Sequence, residues 1–263
     1  MIKGLIFCYS GTGNTELACR YIVNHVKNVE FEIVDAIKDK VPDMSGYGLV
    51  GFAAFADFLT PSKVYQKFID ELPAQADKPA FVFNTYGMVS GQTLSILNEK
   101  ATSRGFRVVA GHSLHMPENF PPMIARGLGN YTAPSDKEFS DFAGFVMELD
   151  GIGKSLSEGV NIPTARIDVG AGNKVMRYPK SMAKRMMGEK SVDADLCTGC
   201  GTCAGVCPKG AIAMAGQPSF DEGKCAYCWA CYNQCLYGAI YTKKYKDKGR
   251  YAGPSANLRA KFM

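Results

Sequence analysis

The sequence lacks the long apolar runs of a membrane protein. No apolar stretch approaches the roughly 20 residues that a membrane-spanning helix needs, so we expect a soluble chain without a membrane span. We also expect no secretory leader, since Met1 leads directly into an apolar segment with no charged region and no cleavage site. We therefore expect a cytoplasmic protein, and disulfide bonds are rare in that compartment.

Two common nucleotide-binding signatures are absent from the first connection between a strand and a helix. This connection reads Ser10-Gly11-Thr12-Gly13-Asn14-Thr15. It has neither the Gly-Lys-Ser/Thr ending of a P-loop nor the Gly-x-Gly-x-x-Gly of a dinucleotide fold. It also contains no lysine or arginine.

The same connection nevertheless has the parts of an anion site. Its backbone N–H groups and the positive end of the following helix point at one place. Glycines let the backbone approach a ligand closely, and the hydroxyl groups add hydrogen-bond donors without adding charge. The combination fits a phosphate monoester, and the alternative is an ordinary glycine-rich turn.

Eight of the ten cysteines form two copies of one spacing. The first copy is Cys197-x2-Cys200-x2-Cys203-x3-Cys207-Pro208, and the second, 28 residues later, is Cys225-x2-Cys228-x2-Cys231-x3-Cys235. The repeat extends to Asp193 and Asp221, whereas Leu236 replaces the proline of the first copy. This is the spacing of a bacterial ferredoxin with two [4Fe-4S] clusters.

In that motif, three cysteines of one loop bind one cluster and the fourth binds the other cluster. The first predicted ligand set is Cys197, Cys200, Cys203 and Cys235, and the second is Cys225, Cys228, Cys231 and Cys207. Zinc and a [3Fe-4S] form remain as alternatives, although zinc sites usually pair two Cys-x2-Cys elements. Cys8 and Cys19 lie apart from both motifs and are expected to be small buried apolar residues.

Short β-rich runs alternate with helical spacing through the first half of the chain. The runs cover residues 1–9, 29–34, 49–55, 80–83 and 106–110. Such alternation predicts an α/β fold with a doubly wound parallel sheet. The segment from Tyr9 to Glu16 resembles the FMN-phosphate loop of flavodoxins. The resemblance implies the strand order 2-1-3-4-5, with FMN beyond the carboxyl ends of strands 1, 3 and 4.

The resemblance also implies which segments hold the flavin ring. They follow strands 3 and 4 and comprise Ala56, Asp57 and Phe58 together with Thr85, Tyr86 and Gly87. Phe58 and Tyr86 are the aromatic candidates, and ordinary core packing is the alternative for each. His112 and His115 are expected in a long loop that reaches Asn130 and covers either the flavin or the approach to the clusters, with a purely structural lid as the alternative.

These patterns divide the chain into four parts. Residues 1–150 form the flavodoxin-like FMN-binding domain, which ends in an amphipathic helix over 136–149. Residues 151–190 are a joining segment with a helix expected at 179–187, and Val169 is one of its apolar residues. Residues 191–242 form a small α+β domain of the two-cluster ferredoxin type, and residues 243–263 form a basic tail.

Charge is distributed unevenly between the two halves. Residues 1–150 hold 13 Lys and Arg against 17 Asp and Glu, whereas residues 151–263 hold 17 against 8. Clusters bound by thiolates carry negative charge that this count omits, so the basic excess does not indicate a nucleic-acid partner. The tail is either a solvated terminus or a docking surface for an acidic redox partner.

Taken together, the motifs resemble a fusion family, found chiefly in anaerobes, that joins a flavodoxin domain to a ferredoxin with two [4Fe-4S] clusters. The resemblance implies an electron-transfer iron-sulfur flavoprotein that couples one-electron and two-electron carriers. The alternative is an FMN-dependent reductase of a small substrate, which would make the protein an oxidoreductase enzyme. The loop from His112 to Asn130 is expected to distinguish them, by walling a substrate cavity or by bringing a cluster to the flavin.

Overall fold

The structure is a computed structural model that describes residues 1–167 and 180–263. Val169 of the joining segment and Pro179, the first residue of the expected helix, lie outside the described residues. Within the described part, no helix is long and apolar enough to cross a membrane.

A parallel sheet forms the centre of the first half. Its strands are β1 (Ile2–Cys8), β2 (Val29–Asp35), β3 (Leu49–Asp57), β5 (Lys78–Tyr86) and β6 (Phe106–His115). They lie in the order β2-β1-β3-β5-β6, and each neighbouring pair is parallel. Counted among the parallel strands alone, this is the order 2-1-3-4-5, so the predicted flavodoxin-like order is confirmed. The two-residue β4 (Thr60–Pro61) pairs antiparallel with the end of β3.

Helices cover both faces of the sheet. On one face lie α1 (Asn14–His25) and α5 (Asp136–Ser157), and on the other lie α2 (Lys63–Glu71) and α3 (Thr93–Ser103). The central strands are buried on both sides, as is usual for parallel sheets. Cys8 and Cys19 are buried within this core, as expected.

Three strands are longer than their apolar runs predict. The runs end at Phe55, Phe83 and Ala110, whereas the strands end at Asp57, Tyr86 and His115. Polar residues continue these strands because a neighbouring strand supplies partners for their backbone groups. The parallel β5–β6 ladder does so up to Tyr86 and His115, and the antiparallel β4 does so at Asp57. The placement of His112 and His115 in a loop is therefore wrong. The loop begins at Met116 and contains the one-turn helix α4 (Pro121–Ile124).

The helix at the end of the first half is also longer than predicted. Ser135 caps it, and Glu138 completes a capping box. The helix runs to Ser157 instead of ending at residue 149, so the boundary proposed at residue 150 falls inside it. Beyond it, Ala165 N donates to Val108 O at 2.8 Å, which places this stretch beside β6.

The cysteine-rich part is built from two similar units. The strand β7 (Lys190–Val192) pairs with β10 (Ile240–Thr242), and β8 (Ile212–Ala215) pairs with β9 (Gln217–Phe220), both antiparallel. Two short helices, α7 (Thr202–Gly205) and α8 (Ala230–Asn233), occupy equivalent positions. The repeat is visible in its hydrogen bonds as well. Asp193 N donates to Ala239 O and Asp221 N to Ala211 O, both at 2.8 Å.

The basic tail packs onto the first half, so the expectation of a solvated terminus is wrong. Its helix α9 (Ala256–Lys261) and the residue after it bury Leu258 and Phe262 in the core beside α1 and α5. Lys261 pairs with Asp136 at 2.8 Å. The buried apolar side chains of the tail determine where it packs, and a count of charged residues gives no information about them.

Candidate functional site: a cavity between the sheet and the cysteine-rich part

The predicted phosphate loop connects β1 to α1. Gly13, at φ 96°, lies in the left-handed region that glycine tolerates, and its N–H donates to Ser10 Oγ at 3.0 Å. Asn14 and Thr15 begin the helix and are buried. Because the twelve-residue α1 begins at this loop, the free N–H groups of its first turn and the positive end of its dipole point into the loop.

The loop opens into a cavity of about 630 Å³ at the carboxyl ends of the strands. The cavity brings together eleven of the twelve residues predicted for the flavin: Ser10, Gly11, Thr12, Asn14, Thr15, Ala56, Asp57, Phe58, Thr85, Tyr86 and Gly87. Gly13 does not line it. Among the described lining residues there is no lysine or arginine. An anion in this cavity would therefore be held by N–H groups and hydroxyl groups.

The end of β3 supplies one aromatic side of the cavity. Phe58 and Leu59 form the two-residue turn between β3 and β4, with φ of 50° and 68°. Each such non-glycine residue costs about 1–3 kcal/mol of backbone strain. Leu59 O accepts a hydrogen bond from Gln92 N at 2.7 Å, which helps to hold the turn.

The end of β5 supplies the opposite side. Tyr86 is stacked on His115, with ring centroids 5.3 Å apart. Thr85 is buried below it, and its hydroxyl group lies 2.8 Å from that of Thr15. The Thr85 side chain thus contacts the start of α1, and the Tyr86 side chain lines the cavity.

Two carboxyl groups also line the cavity. Burial raises the pKa of Asp57 to about 7. Burial likewise raises the pKa of Glu118, although its Oε1 accepts hydrogen bonds from Asn119 N at 2.9 Å and Phe120 N at 3.0 Å. Glu118 was not among the predicted site residues. It could not be identified from the sequence, because its burial depends on the folding of the loop.

The cysteine-rich part closes the cavity. Cys228 and Trp229 line it, as do Met182 and Met186 of α6 (Lys180–Met187). The cysteine spacing predicts Cys228 as a cluster ligand, but no sequence signal placed it beside the predicted phosphate loop. A residue of the second cysteine motif therefore shares a cavity with the first loop of the chain.

The first group of thiols lies next to this cavity. Burial, above all, raises the pKa of Cys228 to about 12, and the neighbouring charges of Asp57, Cys225 and Cys207 act in the same direction. Burial raises the pKa of Cys231 as well, with Cys228, Cys225 and Cys207 again contributing. We call Cys207, Cys225, Cys228 and Cys231 the inner group.

A buried cation accompanies the inner group. The side chain of Lys190 is 3% exposed, and its Nζ lies 2.7 Å from Glu222 Oε1. The ammonium group also lies over the ring of Tyr227, 5.2 Å from its centroid, and hydrogen-bonds to Cys225. Positive charge is thus placed locally where ligated thiolates would be negative.

The second group of thiols ranges from the exposed Cys200 to the buried Cys203. Cys197, Cys200, Cys203 and Cys235 line one small pocket, and Cys200 is exposed. Hydrogen bonds from Thr202, through its side chain and its backbone, lower the pKa of the Cys200 thiol. Leu236 and Tyr237 beside this pocket are 80% and 53% exposed. We call these four cysteines the outer group.

Each group thus takes three cysteines from one motif and one from the other. Among the described residues, no three His, Cys, Asp or Glu side chains converge closely enough to hold a single metal ion. A [4Fe-4S] cluster makes a different demand, since its four thiolates bind four separate iron corners.

Comparisons with known proteins bear on both halves of the chain. Residues 190–213 match the family described as 4Fe-4S binding domain. No curated protein matches the chain. The family match and the strand order together fit a chain that joins a flavodoxin-like domain to a 4Fe-4S domain.

Several solved structures are similar to the first half. A flavodoxin from the domain Archaea is 18% identical with a TM-score of 0.44, and the match covers 58% of this chain and 99% of that one. The two-electron reduced Megasphaera elsdenii flavodoxin is 24% identical with a TM-score of 0.39, covering 49% and 96%. A WrbA-like flavodoxin from Agrobacterium tumefaciens is 15% identical with a TM-score of 0.41, covering 59% and 99%.

Proposed function

We propose that this protein is an electron carrier that binds FMN in the cavity and two [4Fe-4S] clusters at the inner and outer cysteine groups. One observation carries the proposal: Cys228 of the inner group lines the cavity that the phosphate loop opens into. FMN exchanges one or two electrons, and each cluster exchanges one. A carrier that couples these steps needs its cofactors close together, and the fold provides adjoining sites.

The residues of the cavity fit FMN. A phosphate group requires several donors, and the loop offers backbone N–H groups at a helix N-terminus together with the Ser10 and Thr12 hydroxyl groups. A flavin ring requires apolar and aromatic walls, which Phe58, Tyr86 and Trp229 supply. We assign the phosphate to the loop and the ring to the space between these three side chains.

The ligand sets of the two clusters follow from the two thiol groups. We assign the first cluster to the outer group, with Cys235 as the ligand from the second motif. We assign the second cluster to the inner group, with Cys207 as the ligand from the first motif. Lys190, buried beside Cys225, offsets part of the negative charge of the second cluster.

The exposure of the thiols in the two groups supports an order of electron transfer from a partner protein to the outer cluster, then to the inner cluster and then to the flavin. Cys200 is the exposed thiol of the outer group, whose Cys203 is buried, whereas every thiol of the inner group is buried or half-buried. A partner protein therefore reaches the outer cluster, and the inner cluster lies between it and the flavin. We propose a one-electron redox protein as this partner, and the exposed side chains of Leu236 and Tyr237 flank its approach.

The tail is a weaker candidate for docking. Lys246 pairs with Asp193 at 3.2 Å, and Arg250 donates to the carbonyl groups of Gly238 and Ile240. Several of its cations are thus engaged within the chain, and less of its charge is free to attract an acidic partner.

The loop after β6 favours a carrier over a reductase of a small substrate. Residues 116–120 line the cavity, as a substrate pocket would require. The same loop also binds the cysteine-rich part, since Asn119 O accepts a hydrogen bond from Asn233 Nδ2 at 2.8 Å. It therefore fixes the inner group beside the cavity, and that is the arrangement that electron transfer requires.

Rapid mixing with a one-electron donor tests the proposal. Protein purified without oxygen is mixed with the donor in excess, and flavin reduction is followed by its visible absorbance. We expect a first-order rate constant of flavin reduction that does not change with protein concentration, because electrons pass from cluster to flavin within one chain. An observed rate constant that rises in proportion to protein concentration would show that electrons cross between molecules. Absence of bound FMN in the purified protein would refute the cofactor assignment itself.

A further inference from the structure

The phosphate loop is held from outside by residues that lie more than 200 positions later in the chain. Gln234 Nε2 donates to Gly11 O at 2.5 Å, and the Tyr251 hydroxyl group donates to Asn14 Oδ1 at 2.6 Å. Pro254 packs against Gly13, where a side-chain Cβ would lie 3.2 Å from the proline Cδ. Three positions of the loop thus contact the cysteine-rich part and the tail.

A second set of hydrogen bonds reaches the loop through Asn119. Asn119 Nδ2 donates to Thr12 Oγ1 at 3.0 Å, and Asn119 O accepts from Asn233 Nδ2 at 2.8 Å. Asn233 is 1% exposed, and its Oδ1 accepts from Tyr251 N at 3.1 Å. Asn233 therefore connects the cavity loop, the phosphate loop and the tail.

The position of these two amides between cluster ligands gives them a further role. Asn233 and Gln234 lie between Cys231 of the inner group and Cys235 of the outer group. A small cysteine-rich unit takes much of its folding energy from its metal centres. Loss of either cluster would free the segment from which both amides reach the loop.

We propose that Asn233 and Gln234 are positioning residues that couple FMN binding to the presence of the clusters. The proposal rests on the cofactor sites assigned above. With the clusters in place, the two amides hold the carbonyl group of Gly11 and, through Asn119, the hydroxyl group of Thr12. The loop then presents its N–H groups to the phosphate in a fixed arrangement. Linkage is reciprocal, so bound FMN stabilises the cluster-bearing segment by the same factor.

The variant Gln234→Met tests the direct contact. Methionine has a similar length and no charge but cannot donate to Gly11 O. Since one hydrogen bond contributes roughly 0.5–1.5 kcal/mol, we expect the FMN dissociation constant of cluster-loaded protein to rise about threefold to tenfold. The control Gln217→Met changes an exposed glutamine on β9, and the constant should not change. Affinity is measured by the fluorescence of released FMN, and iron and sulfide contents verify that the clusters remain.

Removal of the clusters tests the coupling. The full-length protein is treated with a chelator and an oxidant, and the FMN dissociation constant is measured again. We expect a weaker constant for the wild type and the same constant for Gln234→Met, because the segment no longer holds the loop in either protein. An unchanged wild-type constant, or an equal effect of the variant with and without clusters, would overturn the proposal. Failure of cluster-loaded wild type to bind FMN at all would instead refute the proposed function.

Discussion

The ring of Phe120 meets the indole of Trp229 edge to face, with centroids 6.0 Å apart and planes at 78°. Phe120 belongs to the loop after β6, and Trp229 follows Cys228 in the second cysteine motif. On its other side, Phe120 packs against Phe58 at 5.2 Å. One aromatic side chain thus joins the wall of the cavity to the inner cysteine group.

Replacing Phe120 by alanine tests this contact. An aromatic pair contributes about 0.5–1.5 kcal/mol beyond the area it buries. We expect Phe120→Ala to lower the free energy of unfolding by about 1–2 kcal/mol and to slow cluster-to-flavin electron transfer, because the inner group is held less firmly. Urea unfolding and rapid mixing measure the two effects. Tyr131→Ala, which changes an exposed aromatic in the same loop, should leave both unchanged.

The ligand sets predict which cysteine variants resemble one another. Cys235→Ala should damage the same cluster as Cys197→Ala, so both variants should show the same remaining EPR signal after reduction. Cys207→Ala and Cys225→Ala should share a different signal. Wild-type protein should contain about eight irons and eight sulfides. If Cys235→Ala instead resembles Cys225→Ala, each motif binds its own cluster, and the assignment is wrong. Stoichiometric zinc without sulfide would exclude both clusters.

Much of the fold could be predicted from the sequence because its signals are local. Apolar runs identified all five parallel strands, and the glycine-rich loop identified the end of the sheet where the cavity lies. The strand ends were missed at Asp57, Tyr86 and His115, because polar residues continue a strand wherever a neighbouring strand supplies hydrogen bonds. Local apolar pattern carries no information about such pairing.

The closure of the cavity could not be predicted in this way. Trp229 and Gln234 reach the first half through contacts between residues far apart in sequence, and no spacing rule describes such contacts. The tail was misjudged for a related reason. Its lysines and arginines dominate the composition, whereas two buried side chains, Leu258 and Phe262, determine where it packs.

A carboxylate introduced into the phosphate loop tests the FMN site. Thr12 is buried and lines the cavity, and its hydroxyl group accepts a hydrogen bond from Asn119 Nδ2 at 3.0 Å. Two like charges about 4 Å apart repel by about 4 kcal/mol at an effective dielectric constant of 20. We therefore expect Thr12→Asp to weaken FMN binding at least about 100-fold with iron content unchanged. Thr132→Asp, at an exposed position, is the control. Wild-type affinity in Thr12→Asp would mean that the phosphate binds elsewhere.

The stability of the first half should depend on pH through His112. Burial among Phe83, Phe142 and Phe145 lowers the pKa of His112 to about 4, and Nε2 has no hydrogen-bond partner among the described residues. Below pH 6.5 the imidazole of the unfolded chain binds a proton that the folded chain does not, so the contribution of His112 to stability falls as the pH falls. From pH 7.5 to 5.5 this effect amounts to about 1.4 kcal/mol. Urea unfolding of His112→Phe should lack that decrease, and His25→Phe, at an exposed position, should retain it. Parallel pH profiles for wild type and His112→Phe would show that His112 titrates normally in the folded protein.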